Sequence, residues 1–472
     1  MKTVVVGASV GGLCAAAALA GRAKEVLVLE RRDVPSGVGS VAAQGTQPHV
    51  LLQGGAAALE RLVPGFVEDL IADGAIDPGE GVTPVHWWAG GAVRHHLPDL
   101  GVRTPLATRP LLEGRLRESV AAMAGVRIRG GVGVRGLIIE GGRVLGVRID
   151  DDIISADLVV DASGRGSKSP QWLADAGVGT PPVSEVRVDS SYTSVLVRRR
   201  PGDADGALIA LVQNSPGLAR GGAAFAAEGD CWQWVVGGYF GDFAEATPDA
   251  MGAFARSLPD PVLATLLQNE WLCRPRRSQF RSSQRRHWDK VRDLPTGFVA
   301  LGDSVVSLNP IYGQGMTSAA LQAEAFAVCL DRFGNDRRLP AAVAKALARV
   351  VATPWQVATG GDFLYEQSIG KKPPGTKPIN RYLEKVFYAA AHDEIVNIAV
   401  SRVGQMLAPP TSVLAPSIMR RVRRVHRISR RAEHQGVSEG ATVAASDPRP
   451  AGHRSSSPGF KPFGGNDGNP IS

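Results

Sequence analysis

A chain of 472 residues, 44% hydrophobic and 6% aromatic, is long enough for two joined domains and too apolar to remain unfolded. Its formal charge of +8 gathers between Arg420 and Arg431 instead of forming a basic face with interleaved aromatics, which argues against nucleic-acid binding. The four cysteines, Cys14, Cys231, Cys273 and Cys329, lack CxxC or Cys/His ligand spacing, so reduced thiols, a cytoplasmic location and no metal are expected.

Thr3 to Val6 is a short β-branched run, followed by a glycine turn and an Ala/Leu-rich segment from Leu13 to Ala20. Val26 to Glu30 is a second apolar run that ends on an acid, so the order is strand, turn, helix, strand. Gly7, Gly11 and Gly12 interrupt what could otherwise pass as a secretory signal, and no other stretch has the roughly 20 apolar residues of a bilayer span.

The turn itself, Gly7-Ala8-Ser9-Val10-Gly11-Gly12, keeps the outer glycines of GxGxxG with Ser9 at the middle position. Such a turn brings backbone close to a dinucleotide pyrophosphate at the positive end of a helix, where the Ser9 hydroxyl can donate. Glu30, 23 residues beyond Gly7, stands where a carboxylate accepts from ribose hydroxyls. The same residues satisfy the GxSxG nucleophile elbow, which would make Ser9 a hydrolase nucleophile. An elbow on the first strand, with no oxyanion-hole loop before it, is out of place.

His86 and His95 fall opposite each other across a hairpin turning at Gly90-Gly91, two histidines where a metal needs three or four ligands, so packing is expected. From Val126 to Ile149 an alternating pattern broken by glycine pairs predicts an antiparallel meander. Within it, Gly131-Val132-Gly133-Val134-Arg135-Gly136 has GxGxxG spacing but leads into a hairpin, so no helix end faces a phosphate. The strand Leu158 to Asp161 then runs into a second small-residue turn, Asp161-Ala162-Ser163-Gly164-Arg165-Gly166-Ser167.

Residues 185 to 245 are β-rich, with Tyr192 to Val197, Ala207 to Val212 and Trp232 to Tyr239 as strands, Trp232 and Trp234 packing from one face. Gly297 to Leu301 leads to a third turn, Gly302-Asp303-Ser304, and then to Asn309-Pro310-Ile311-Tyr312-Gly313-Gln314-Gly315-Met316 at the head of an Ala-rich helix. From Ala341 to Arg431 the pattern is mainly helical, and the polar remainder is expected to be disordered. Ile418, Val422 and Val425 share one helical face among arginines, which suggests a solvated basic helix or weak contact with a membrane surface through residues 416–431.

These three turns, in this order, resemble the group A FAD-dependent monooxygenases, such as para-hydroxybenzoate hydroxylase and squalene epoxidase, and especially the bacterial monooxygenases and polyether epoxidases of secondary metabolism. The likeness runs from Met1 to about Arg424 and takes in Gln44 to Leu52, Thr108-Arg109-Pro110-Leu111-Leu112 and Pro409-Pro410. It implies an α/β fold: a Rossmann-like, GR2-type FAD domain from residues 1–60, 100–180 and 275–335, and an inserted β-sheet substrate domain from 61–99 and 181–274. A helical C-terminal region, 336–430, and a tail, 431–472, complete it. The resemblance implies FAD contacts at Gly7, Ser9, Gly11, Gly12, Glu30, Arg109, Asp161, Gly302 and Asp303, with Pro310, Gly313, Gln314, Gly315 and Met316 flanking the isoalloxazine ring. Asp303 would hold ribityl hydroxyls, and the helix opening at Gly313 and Gly315 would stabilise negative charge on the reduced ring. The chain departs from the family at Ser9 and between Gly39 and Gln47, where Thr46 stands at a position relatives often fill with arginine.

The implied chemistry is formation of a flavin C4a-hydroperoxide from O2 and transfer of oxygen to an electron-rich ring or alkene of a small hydrophobic biosynthetic intermediate. The protein orients substrate and excludes water, so no catalytic acid or base is assigned. No usable second dinucleotide motif is present, and electrons are expected from transient NAD(P)H or a separate flavin reductase. A reductase or dehydrogenase of the same fold is the alternative. So is a halogenase, because Trp232-Gln233-Trp234-Val235-Val236-Gly237 approaches the WxWxIP box; but Gly237 replaces its proline, and the halogen-carrying lysine has no counterpart between Lys24 and Lys168.

Overall fold

The first strand, β1 (Lys2–Val6), is buried from Thr3 onward on both faces, as a central parallel strand must be. Helix α1 (Val10–Leu19) is built of small residues and is buried almost all round, which lets it lie between the sheet and a later helix. It returns the chain to β2 (Glu25–Leu29), parallel to β1 with Lys2 opposite Glu25. Helices α2 (Gln53–Leu62) and α3 (Phe66–Ala72) lead to the hairpin β3 (Thr83–Ala89) and β4 (Ala92–Leu97). Helix α4 (Arg109–Ala121) then crosses back to β5 (Val126–Arg129). The computed structural model describes residues 1–41, 47–89, 91–150, 152–215 and 217–428. The expectations for Gln44, Thr46, Gly90, Arg430, Arg431 and the tail from 431 lie outside these residues.

The alternating pattern that starts at Val126 misleads in one respect. β5 pairs parallel with β2, and the antiparallel meander consists of β6 (Val134–Glu140), β7 (Arg143–Ile149) and β8 (Asp152–Ser155). A four-residue run with one buried side chain fits either pairing, and the crossover through α4 decides it.

Strand β9 (Leu158–Asp161), α5 (Ser169–Asp175) and the long β10 (Val183–Arg198) follow. Next come β11 (Ile209–Val212), β12 (Arg220–Ala227), β13 (Cys231–Gly238), α6 (Pro248–Arg256), α7 (Val262–Leu266), β14 (Arg276–Arg286), β15 (Phe298–Ala300) and β16 (Val306–Ser307). The C-terminal part holds α8 (Gly315–Phe333), α9 (Leu339–Val350), α10 (Ala352–Asp362), β17 (Ile369–Gly370), α11 (Thr376–Ala390) and α12 (Glu394–Gly404).

A parallel sheet of order β15-β9-β1-β2-β5 forms the first core, and a nine-stranded sheet of order β16-β14-β10-β13-β12-β11-β3-β4, with β17 on β10, forms the second. On the second sheet Trp232, Trp234, Val195 and Val236 pack against Met251, Phe254 and Leu263 of α6 and α7. Both indoles are satisfied, Trp232 Nε1 by Asp203 at 2.9 Å and Trp234 Nε1 by the Leu263 carbonyl at 3.0 Å. Met1–Val422 make up one compact unit. Ile418 and Val422 are buried in it, so much of the apolar stripe read from sequence is engaged in packing. Of the second unit, Arg423–Ser472, residues 423–428 are described and are helical. No helix among the described residues is long and apolar enough to cross a membrane.

Candidate functional site

Strands β1, β9 and β15 are parallel neighbours, so the turns that follow them emerge at one edge of the sheet. The chain runs from β1 to β2 on one side while β9 joins β1 on the other, which makes that edge a topological switch point. The three glycine turns are thereby brought together. Gly7 has φ +104°, and a side chain on it would press 2.6 Å from the Ala162 carbonyl oxygen of the second turn. A methyl on Gly12 would overlap the Gly7 carbonyl oxygen itself. Gly11 faces Gly302 of the third turn with ordinary spacing, 3.8 Å from a built Cβ to its Cα. Glu30, buried at the end of β2, accepts from Ala8 N at 3.0 Å and Arg32 N at 3.1 Å.

Ser9, the residue that breaks the GxGxxG pattern, anchors the turn to α4. Its hydroxyl donates to Glu113 Oε2 at 3.1 Å and accepts from Arg109 Nη2 at 2.9 Å. Arg109 Nε also donates to Glu113 Oε2, and Val41 N donates to Oε1 at 2.7 Å, so the fully buried Glu113 carboxylate is satisfied at both oxygens. The remaining Arg109 nitrogen donates to His49 Nε2 at 2.9 Å, while His49 Nδ1 donates to the Gln47 carbonyl at 2.6 Å. A guanidinium can only donate and a carbonyl only accept, which fixes the neutral Nδ1–H tautomer. Burial, with the Arg109 charge beside it, pushes the His49 pKa down to about 3. Ser9 sits in ordinary extended backbone with no histidine among its partners, so the hydrolase reading finds no support here. Ser9→Ala should lower stability by about 2 to 3 kcal/mol, measurable by thermal unfolding, because the bond the hydroxyl donates to Glu113 and the one it accepts from Arg109 are both lost.

The second and third turns are joined by residues that motif spacing does not reveal. Ser304 Oγ donates to the Asp161 carbonyl at 2.7 Å, and Leu301 N donates to the same carbonyl at 2.9 Å. Arg286 on β14 donates to the Arg165 carbonyl at 2.7 Å and the Ser304 carbonyl at 3.3 Å. Arg165 in turn reaches Ser282 Oγ at 2.9 Å and Ser307 Oγ at 3.2 Å on the second sheet. Long-range pairing of this kind leaves no local signal in the sequence.

Asp161 lies at the end of β9, at the start of the second turn. It is 1% exposed, and its carboxylate is occupied by Ser163 N at 3.0 Å, Ser163 Oγ at 2.5 Å and Ser167 Oγ at 2.5 Å, so its side chain shapes its own turn. Asp303 instead keeps an exposed edge in the cleft. The surrounding protein raises its pKa, against the charges of Arg109, Arg165 and Arg286.

The last motif forms the remaining wall. Asn309 begins a short turn, Pro310–Tyr312, that ends at Gly313 with φ +64°, where a side chain would press 2.7 Å from Val50 Cγ1. Pro310 and Gly315 are exposed, Gln314 and Met316 are buried, and the Gln314 side-chain oxygen has no partner. Opposite lies the near face of the second sheet, where cross-strand partners Tyr192 and Gly237, Ser194 and Val235, and Val235 and Ala223 share one side. Gly237, which stands in place of a proline, is needed by this face: a side chain there would press 2.8 Å from the Tyr192 ring. Segment 47–52 is pinned between the layers, with Ser194 Oγ donating to Gln47 at 2.8 Å and His49 N to Gln233 at 3.4 Å. His86 bonds Asp260 at 3.0 Å and meets His95 edge-on at 6.3 Å, and among the described residues no cluster suited to a metal is present.

These residues fit an FAD molecule. α1 and α8 both open without a side-chain cap or an acid in the first turn, leaving positive helix ends beside the converging glycines. A side chain on Gly315, Gly164 or Gly166 would meet open space, and the orphaned Gln314 oxygen awaits a donor.

A family model described as an NAD(P)-binding Rossmann-like domain matches residues 5–64. Protein Rv3254 of Mycobacterium tuberculosis is 30% identical over 418 residues, 83% of this chain and 87% of that one. PqsL, a probable FAD-dependent monooxygenase from Pseudomonas aeruginosa, superposes with TM-score 0.58 at 18% identity over 77% of this chain and 94% of its own. The flavin-dependent brominase Bmp2 gives TM-score 0.61 at 17% identity over 91% and 99%. The chain therefore belongs to the family of protein Rv3254 and has the fold of the group A FAD-dependent monooxygenases.

Proposed function

We propose that this protein is an FAD-dependent monooxygenase that places one oxygen atom of O2 on an electron-rich ring or alkene of a small, largely apolar molecule. The other oxygen atom leaves as water, with two electrons supplied by NAD(P)H directly or through a separate flavin reductase. Bound FAD would supply the oxygen activation, which amino-acid side chains cannot.

The chain's own residues account for the rest. Gly7, Gly12 and the opening of α1 would receive the pyrophosphate, Glu30 and Asp303 the sugar and ribityl hydroxyls, and Pro310 to Met316 would border the ring. Arg109, neutral His49 and Ser9 fix the approach of segment 47–52. The near face of the second sheet would orient the substrate and keep water away.

The observation that carries this reading is that near face: small and apolar at Val235, Ala223 and Gly237, bounded by Tyr192, and set against the turn at Asn309. It offers an apolar molecule a bed beside the third glycine motif, with no nucleophile or lysine required. The chain has no lysine between Lys24 and Lys168, which counts against halogenation.

The test is the purified protein reconstituted with FAD and given NAD(P)H, with and without an added reductase, while oxygen uptake and peroxide release are followed across a panel of small aromatic and alkenyl compounds. A monooxygenase will consume oxygen in step with product and release less peroxide when its substrate is present. Reduction of a substrate without oxygen uptake would establish a dehydrogenase or reductase instead.

A further inference from the structure

Resting on the reading that Asn309 to Met316 borders a flavin ring, we propose that Asp362 is a positioning residue for that border, supplied by the helical C-terminal part to hold the Asn309–Gly313 turn in place. Asp362 is the last residue of α10 and is completely buried. Its Oδ1 accepts three donors: Asn309 Nδ2 at 3.0 Å, Tyr312 Oη at 3.2 Å and Tyr239 Oη at 3.4 Å. Asn309 opens the turn, Tyr312 is its last residue before Gly313, and Tyr239 follows β13 of the second sheet. One carboxylate oxygen thus joins the turn, the second sheet and the C-terminal helices.

Asn309 is gripped from other directions as well. Tyr192 Oη donates to its Oδ1 at 2.6 Å, and its backbone N donates to Ser283 Oγ on β14 at 3.0 Å. The helix approaches closely enough that a methyl on Gly361 would overlap the Tyr312 hydroxyl. The second oxygen, Oδ2, is buried without a partner. A carboxylate buried with half its capacity unused lowers stability, so packing alone does not explain the residue, whereas the turn it fastens does.

Burial raises the Asp362 pKa to about 6. The groups that face it, Tyr239 and Tyr312 directly, Tyr192 through Asn309, and Tyr365 alongside, are phenols that burial holds above their ordinary range. Asp362 is therefore the member of this set whose charge changes near pH 6.

Calorimetric titration of the full chain with FAD, and separately with ADP, which carries the adenosine and pyrophosphate but no ring, tests the proposal. Asp362→Asn and Tyr312→Phe should each weaken FAD binding by about ten-fold and leave ADP binding unchanged, the loss expected for one or two net hydrogen bonds. In the wild type FAD should bind more weakly as pH falls through about 6, because bonds to a charged carboxylate are about twice as strong as to a neutral one. Asp362→Asn should lack that dependence. Equal losses for FAD and ADP, or FAD affinity and pH profile unchanged in both variants, would overturn the proposal. Wild-type protein that takes up neither ligand would bring down the flavin reading, and this proposal with it.

Discussion

Arg109→Met should destabilise the protein by about 3 to 5 kcal/mol, the range found when one partner of a buried ion pair is removed. Glu113 is fully buried, Arg109 pairs with it at 3.1 Å, and the buried Arg117 is a second positive charge that it feels. Val41 N and Ser9 Oγ would still donate, but neither carries a compensating charge. The double variant Arg109→Met with Glu113→Gln should recover most of the loss, since the carboxylate is then gone. Urea unfolding of the four proteins in the cycle measures the coupling, and a double variant as unstable as the single would show that the damage is steric. His49 provides a second readout. Its pKa, held at about 3 partly by Arg109, should rise in the single variant and become visible in a nuclear magnetic resonance titration.

Gly12→Ala should abolish measurable FAD uptake, while the adjacent Gly11→Ala should retain it. The first methyl overlaps the Gly7 carbonyl, backbone that cannot yield without lifting α1 from β1, and overpacking of this kind costs about 1 to 3 kcal/mol. The second methyl would sit 3.8 Å from both Ala319 Cβ and Gly302 Cα, ordinary contact distances. Gly315→Ala separates ligand from fold. Nothing lies within 4 Å of its added methyl, so thermal stability should be unchanged while FAD affinity falls. Flavin absorbance after gel filtration and a melting curve on each variant suffice, and loss of flavin from Gly11→Ala equal to that from Gly12→Ala would discredit the assigned roles.

The β1–α1–β2 unit and the glycine turns were legible because their signals are local: a β-branched run, glycines at fixed offsets, an acid closing the next strand. Trp232 and Trp234 on one strand face were legible for the same reason. Val126–Arg129 was misassigned because a four-residue run does not reveal its pairing partner, which arrives through α4. That the Asp161 carboxylate is held by Ser163 and Ser167 of its own turn was not legible, because residue type and spacing do not show which donors a strand-end acid takes. Arg286 and Asp362 were invisible for a stronger reason. Each acts on partners in distant parts of the chain, and neither lies in a motif that the sequence pattern singles out.

The order of strands in the parallel sheet bears on how the protein comes into being. Its middle strand precedes the other four along the chain, and one flank waits for Leu158–Asp161 and then for Phe298–Ala300 at the rim. Until synthesis has passed Ala300, Leu158–Asp161 lacks its outer neighbour, and its open edge must be shielded in the interval. Such distant pairing makes folding slow, so nascent chains shorter than this should lean on chaperones, and carboxy-terminal truncations that remove Phe298–Ala300 should accumulate as insoluble material.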